Sequence, residues 1–152
     1  MALYASWSHG NALTVETPEN FKSIRHMGWG TDLEFIPDRQ SWFHVPIPTP
    51  VIVDGRRAKV KSFYLLFDSD QAFLRDVHIF DGPNLVERFH PAATPWGPHG
   101  GGIDKDNTFT LAAAHPVSWG MGISFRMTAS DAIEVPVRPT LRVVTAGADF
   151  TA

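Results

Sequence analysis

Short runs of apolar residues, broken by turn-forming residues, recur along most of this chain. Residues 56–67 carry the most informative run, since charged and apolar side chains alternate in its first half, as in a half-exposed strand. From Phe63 to Phe67 both alternating sets are apolar. A strand that is apolar on both sides must be covered on both sides. The second cover must therefore come from a loop, a helix or another subunit.

Turn residues divide the central part of the chain into further strands. Asp54-Gly55 separates residues 51–53 from residues 56–67 and predicts a hairpin with positive φ at both central positions. Asp81-Gly82-Pro83-Asn84 separates two further predicted strands, residues 73–80 and 85–89. Residues 70–76 favour a strand over a competing short helix. Residues 3–7 and 12–16 suggest an opening hairpin, and the apolar character of both chain ends predicts that each end is a paired strand.

About ten short strands with little helix are typical of a β-sandwich or a barrel. We expect an all-β fold, a single-domain β-sandwich of jelly-roll type over residues 1–152, with a closed β-barrel as the alternative. Pro46, Pro48 and Pro50 suit an edge strand or an extended crossover, because proline cannot donate to a sheet. No linker, repeat or low-complexity segment interrupts the chain.

Composition narrows the class of protein. The hydrophobic content of 43% and charged content of 19% are globular values. The absence of cysteine excludes disulfides, thiolate metal sites and a cysteine nucleophile. A net charge of −3 gives no electrostatic reason to expect nucleic acid or a membrane surface as a partner. We expect a cytoplasmic protein, or one exported without an N-terminal signal peptide.

Several segments resemble a small group of uncharacterised bacterial all-β proteins. The matching segments are residues 42–50 (WFHVPIPTP), 66–68 (LFD), 77–82 (VHIFDG) and 146–150 (AGADF). The resemblance covers most of the chain and implies a compact β fold. It implies no activity and assigns no site residue.

Metal and cofactor chemistry has little support in the sequence. The seven histidines form no zinc-binding spacing, so we expect no metal site and no cofactor. The acidic segments 68–70 and 104–107 do not have calcium-loop spacing, and Asp and Asn in loops usually bond their own backbone. We therefore interpret both segments as turns.

Tryptophan gives the better indication of binding. Trp29 and Trp96 are flanked by glycine or proline, where an indole ring can stack on a sugar or an apolar ligand. Trp96 and His99 lie in residues 91–107, a long loop rich in proline and glycine of the kind that often carries function. Trp29, Trp96 and His99 are thus the predicted ligand-binding residues. Trp7, Trp42 and Trp119 are predicted to plug the core.

Two functional hypotheses follow from these patterns. The first is a non-catalytic module that acts as a homo-oligomer, or binds a small-molecule or carbohydrate ligand, or both. The second is a small enzyme, a cyclase, isomerase or hydrolase, with a largely apolar pocket and histidine as its acid–base group. His44 and His99 are the candidate catalytic residues of the second hypothesis.

Overall fold

A computed structural model describes residues 2–91, 96–131 and 136–152. Its strands are β1 (Leu3–His9), β2 (Thr14–Val15), β3 (Phe21–Met27), β4 (Gly30–Phe35), β5 (Gln40–Pro46), β6 (Ile52–Val53), β7 (Arg56–Arg57), β8 (Lys59–Asp70), β9 (Ala72–Asp81), β10 (Asn84–Phe89), β11 (Pro98–His99), β12 (Thr108–Pro116), β13 (Met121–Ala129) and β14 (Thr140–Thr151). Two 3₁₀ turns, Gly10–Ala12 and Pro18–Asn20, account for the helical content of the described residues. The predicted all-β class is confirmed.

The strands form two large antiparallel sheets. Sheet A has the order β11-β8-β14-β4-β3, with β1 also paired to β14 and β12 also paired to β8. Sheet B has the order β10-β9-β13-β5-β2, and β6 and β7 form a separate small hairpin. None of the sheets formed by the described residues closes on itself, so the barrel alternative is wrong. The jelly-roll connectivity and the single domain over residues 1–152 stay predictions.

The two sheets pack face to face through aromatic and aliphatic side chains. Phe35 of sheet A meets Phe43 of sheet B at 6.3 Å between ring centroids, and Phe43 stacks on Phe125 at 5.0 Å. One continuous cluster of buried side chains includes residues from both sheets. Because side chains alternate along a strand, each inward side chain leaves its neighbours on an outer face. Both candidate sites described below lie on these outer faces.

The apolar strand β8 is covered within the single chain. Phe63, Leu65 and Phe67 are each 0% exposed, on the inner face. On the outer face the ring of Trp7 stacks on Tyr64 at 5.5 Å, lying across β14 where Gly147 has no side chain. A second subunit is therefore not needed to cover β8. The two apolar faces of this strand were a reason to expect a homo-oligomer, and that reason no longer holds.

Two local predictions hold and three are wrong, one of them the turn expected at residues 68–70, which instead end β8. Asp54 and Gly55 have φ of 50° and 74°, as the predicted turn requires, and the chain ends pair as β1 with β14. Residues 56–67 are not one strand, because β7 ends at Arg57 and β8 begins at Lys59. The opening hairpin does not form, since β1 joins sheet A and β2 joins sheet B.

No helix among the described residues is long and apolar enough to cross a membrane.

Candidate functional site

An open groove of about 500 Å³ lies on the outer face of sheet A. Its walls carry four carboxylates, three guanidinium groups and one indole ring. We call it the charged groove. Its lining residues are Ser23, Arg25, Asp32, Leu33, Glu34, Asp68, Ser69, Asp70, Trp96, Gly97, Pro98, Arg138, Thr140, Leu141 and Arg142.

Strand register sets the charge pattern on the groove floor. Arg25 on β3 pairs with Asp32 on β4, Asp32 pairs with Arg142 on β14, and Arg142 pairs with Asp68 on β8. Opposite charges thus alternate across four neighbouring strands. Leu33, Leu141 and Phe67 are buried on the inner face. Because successive side chains of a strand point to opposite faces, the charged residues next to them must lie on the outer face.

Arg142 is the centre of this row. Its Nε and Nη2 atoms donate to the two carboxylate oxygens of Asp32 at 2.7 and 3.1 Å. The indole Nε1 of Trp29 donates to Asp32 at 3.0 Å, and the guanidinium of Arg142 lies 5.5 Å from the centre of the Trp29 ring. The bond from Arg142, aided by that from Trp29, lowers the pKa of Asp32 despite partial burial. The Asp32 carboxylate is therefore fixed in place and charged.

Trp96 lines the charged groove, whereas Trp29 does not line it and contacts two of its lining residues, Asp32 and Arg142. Trp29 sits in the turn between β3 and β4, whereas Trp96 precedes β11 at the other side of the sheet. Trp96 is 44% exposed and lines the groove directly. Three strand spacings of about 4.8 Å separate β4 from β11, so the floor between them is roughly 14 Å wide. The structure thus places two of the predicted ligand-binding residues on one surface.

His99 lies apart from the groove. It pairs with Phe67, an inward-facing residue of β8, and the two rings are 5.3 Å apart. Its Nδ1 is 3.2 Å from a carboxylate oxygen of Asp104. His99 therefore does not join Trp29 and Trp96, nor does it meet His44, which belongs to sheet B.

His99, Asp104 and Asp106 bring three metal-ligating groups within 4.8 Å of one another. Oδ1 of Asp104 also accepts the backbone N–H groups of Asp106 and Asn107, at 2.7 and 3.0 Å. Burial opposes ionisation of Asp104, but the bonds from His99 and these backbone groups lower its pKa. The cluster thus forms the Asx turn that the sequence predicts at residues 104–107.

A different arrangement occupies the outer face of sheet B. Phe43, Val45, Ile123 and Phe125 face the core with at most 1% exposure, so His44 and Ser124 face outward. Register sets His44 of β5 directly opposite Ser124 of β13.

Three side chains on this face form a hydrogen-bonded chain. The hydroxyl of Ser124 is 2.7 Å from Nδ1 of His44, and Nε2 of His44 is 2.7 Å from a carboxylate oxygen of Glu16. Glu16 follows β2, which pairs with β5. A carboxylate only accepts, so in the neutral ring Nε2–H donates to Glu16 and Nδ1 accepts from Ser124.

Ser124 is 8% exposed, and aromatic side chains lie near it on the outer face of sheet B. His78 lies opposite Ser124 on β9, and its ring packs against Trp42 at 4.7 Å. Burial lowers the pKa of His78, helped by the charge of Arg88, so its ring is held neutral. Gly122, two residues before Ser124 on the same face, has space beside it, since an added Cβ would meet nothing closer than 3.9 Å.

The prediction that Trp7, Trp42 and Trp119 plug the core is wrong for all three residues. Trp119 is 71% exposed, so the prediction is wrong there. Trp7 and Trp42 are partly exposed and pack on the outer faces, against Tyr64 and His78 respectively. Each ring covers a sheet from outside instead of filling the space between the sheets.

Sequence reasoning missed most of the polar residues of both sites. Asp32 and Arg142 are 110 positions apart, and His44 and Ser124 are 80 apart, so only the strand register reveals them. His44 is the exception, because it was predicted from the sequence, and its alternation with Phe43 and Val45 also requires it to face outward.

Comparison with known proteins identifies a family without a function. A family model described as a family of unknown function (DUF6623) matches residues 1–94. The chain therefore belongs to this family, and the resemblance to an uncharacterised family is confirmed. Searches of curated proteins and of solved structures found no match.

Proposed function

We propose that this DUF6623 member is a β-sandwich module that binds a carbohydrate in the charged groove of sheet A. The observation that supports this most strongly is Trp96, an exposed indole at the edge of a groove whose floor is polar and fixed. An indole face offers a flat apolar surface to the C–H face of a sugar ring, while nearby polar groups bond the sugar hydroxyls.

The charges of the groove favour a neutral, hydroxyl-rich ligand. Four carboxylates and three guanidinium groups leave the lining close to electroneutral, so neither an anion nor a cation is strongly attracted. Carboxylates accept hydrogen bonds and guanidinium groups donate them. Because a sugar hydroxyl both donates and accepts, it can satisfy both kinds of group in the same row.

The rigidity of the floor also supports binding. Arg142 is held by both oxygens of Asp32, and Trp29 bonds the same carboxylate. On the opposite side, Oδ1 of Asp68 accepts the backbone N–H of Gly100 at 2.9 Å, which ties β8 to the segment after β11. Fewer side-chain motions are then lost when a ligand binds.

The dimensions favour more than one sugar unit. A groove of about 500 Å³ is in the range of small-molecule sites. Trp96 offers a stacking surface at the β11 side, and three strand spacings, roughly 14 Å, separate β11 from β4. An oligosaccharide spanning β4, β14 and β8 would contact Asp32, Arg142 and Asp68 in turn.

The test is a glycan array probed with the wild-type protein, followed by calorimetric titration of any oligosaccharide that binds. Trp96→Ala should weaken that binding at least tenfold, because it removes the stacking surface. Trp119→Ala is the matched control, since Trp119 is also exposed but lies outside the groove. It should leave the affinity unchanged. A silent array, or equal losses in the two variants, would contradict the proposal.

A further inference from the structure

The second outward face carries chemistry that a binding groove does not need. Ser124, His44 and Glu16 are linked by two hydrogen bonds of 2.7 Å each. They come from β13, β5 and the residue after β2, which are neighbouring strands of sheet B. This is the order of nucleophile, base and orienting carboxylate in serine hydrolases.

We propose that Ser124, His44 and Glu16 form an acyl-transfer site that hydrolyses small esters. Nδ1 of His44 takes the proton of the Ser124 hydroxyl as Oγ attacks the ester carbonyl. Glu16 holds Nε2–H and stabilises the imidazolium that forms. The roles of the two ring nitrogens are exchanged relative to the chymotrypsin-type triad, but either nitrogen can act as base when the other carries the proton.

The proposed hydrolysis needs no reactant other than the ester and water. Attack by Oγ forms a bond to the carbonyl carbon, and the ester C–O bond then breaks. The proton held on Nδ1 of His44 passes to the departing alcohol. A water molecule next loses a proton to Nδ1 and attacks the acyl-serine. The bond between the acyl carbon and Oγ breaks, Nδ1 returns its proton to Oγ, and the acid is released.

The face around Ser124 has room for an acyl group. Gly122 lies on the same face of β13, between Pro46 of β5 and Phe80 of β9. Within the described part of the chain, the nearest atom to an added Cβ would be the Val45 carbonyl oxygen at 3.9 Å. The two cross-strand neighbours of Gly122, Pro46 and Phe80, are both apolar, so we assign the acyl group to the space above Gly122. A short acyl chain fits this description, whereas a bulky one would meet Phe80.

His78 is the candidate donor for the developing oxyanion. Backbone N–H groups in the middle of a sheet are used by the ladder, so a side chain must serve instead. His78 stands opposite Ser124, and packing against Trp42 orients its ring. A neutral imidazole carries one N–H, which His78 can donate to the oxyanion.

The experiment treats the folded 152-residue chain with a fluorophosphonate probe and locates the adduct by peptide mass mapping. A single adduct on Ser124 is expected. His44→Gln should slow its formation about 100-fold, in the range of a general base. Glu16→Gln should slow it about tenfold. Hydrolysis of 4-nitrophenyl butyrate should fall in parallel, and Ser124→Ala should abolish both.

His26→Gln is the matched control. His26 also bonds a hydroxyl through Nδ1, that of Thr31 at 3.0 Å, but on sheet A. It should leave the labelling rate unchanged. His78→Phe, which keeps a ring on Trp42 but removes the N–H, should slow ester hydrolysis about tenfold.

A second variant, Ser124→Cys, tests the same proposal by a gain of thiol reactivity, even if Ser124→Ala does not fold. In Ser124→Cys, a thiol next to His44 should react with iodoacetamide at least tenfold faster than the same thiol in the Ser124→Cys, His44→Gln double variant. An unlabelled Ser124 in the wild type would overturn the proposal, and so would equal labelling rates with and without His44. If the array test fails while Ser124 is labelled, only the carbohydrate proposal is lost.

Discussion

The outer faces of the two sheets obey the same strand physics but present different chemistry. On sheet A, Asp32, Arg142 and Asp68 alternate in charge and neutralise one another across neighbouring strands. On sheet B, His44 and Ser124 stand in register and share a proton-bearing hydrogen bond. A row of matched permanent charges is suited to holding a polar ligand. A serine bonded to an imidazole is suited to moving a proton.

Glycine also differs between the two faces. On sheet A, Gly147 is covered by the ring of Trp7, which reaches across β14 to stack on Tyr64. On sheet B, Gly122 is open. The same residue type thus serves close packing in one sheet and leaves an empty slot in the other. This difference supplies the sharpest structural test of the comparison.

The largest effect is expected for Gly147→Ala. The new Cβ would lie 2.4 Å from the Trp7 ring and 2.9 Å from the Ser6 carbonyl oxygen, so ring or backbone must move. We expect a loss of about 3 kcal/mol in the free energy of unfolding. Urea denaturation followed by tryptophan fluorescence measures it.

Gly122→Ala is the matched control for Gly147→Ala. Its Cβ would make an ordinary van der Waals contact, 3.9 Å from the Val45 carbonyl oxygen, so the free energy of unfolding should change by less than about 0.5 kcal/mol. The same variant should slow labelling of Ser124, because the methyl group fills the proposed acyl slot. Equal destabilisation by the two alanines would contradict the difference between the faces.

The second-largest expected effect is a decrease in the free energy of unfolding in acid, caused by protonation of Asp81 at the end of β9. Burial would raise the pKa of this carboxyl, but bonds from His115 and from the backbone N–H groups of Trp119, Ser118 and Gly120 lower it to about 2. The folded state therefore binds the proton more weakly than the unfolded chain. The stabilisation is complete above pH of about 4 and is lost as the pH falls towards 2.

The size of the acid effect follows from that difference in pKa. A shift from 3.8 to about 2 corresponds to about 2 kcal/mol. Asp81→Asn removes the titrating carboxyl. Between pH 4 and 2, the free energy of unfolding should therefore fall by about 2 kcal/mol less in the variant than in the wild type. Denaturant titrations at several pH values measure both proteins. Parallel curves for wild type and variant would exclude Asp81 as the cause.

The smallest effect on stability is expected for Arg142→Lys in the charged groove. The side chain of Arg142 is 46% exposed, so losing the two-bond contact with Asp32 should cost less than about 1 kcal/mol. The pKa of Asp32 should rise towards its ordinary value, because lysine cannot bond both oxygens. Carboxyl-detected NMR titration measures that pKa. An unchanged value would show that Arg142 does not hold the carboxylate.

Local patterns in the sequence predicted strands and turns, because they depend on neighbouring residues. The Asp54-Gly55 turn and the two apolar faces of Phe63–Phe67 are examples. The pairing of β1 with β14, which covers Tyr64 through Trp7, depends on residues at opposite ends of the chain. No local pattern contains that information, so the cover of β8 could not be predicted.

The residues of the candidate sites also fall into two groups, those predictable from local sequence and those brought in by strand pairing. Trp29, Trp96 and His44 were identifiable from their immediate neighbours along the chain. Their partners, Asp32, Arg142, Ser124 and Glu16, are brought to them by cross-strand register. His99 was grouped with Trp96 because the two are close in sequence. Their separation follows from the alternation of side chains at β11.

The central claim is that the two faces act independently, and one crossed measurement tests it most directly. Wild type, Trp96→Ala, Ser124→Ala and the double variant are each assayed for oligosaccharide affinity by calorimetry and for fluorophosphonate labelling by mass spectrometry. Trp96→Ala should lose the sugar and keep the label, and Ser124→Ala should lose the label and keep the sugar. Loss of both properties in either single variant, or of neither, would contradict the account.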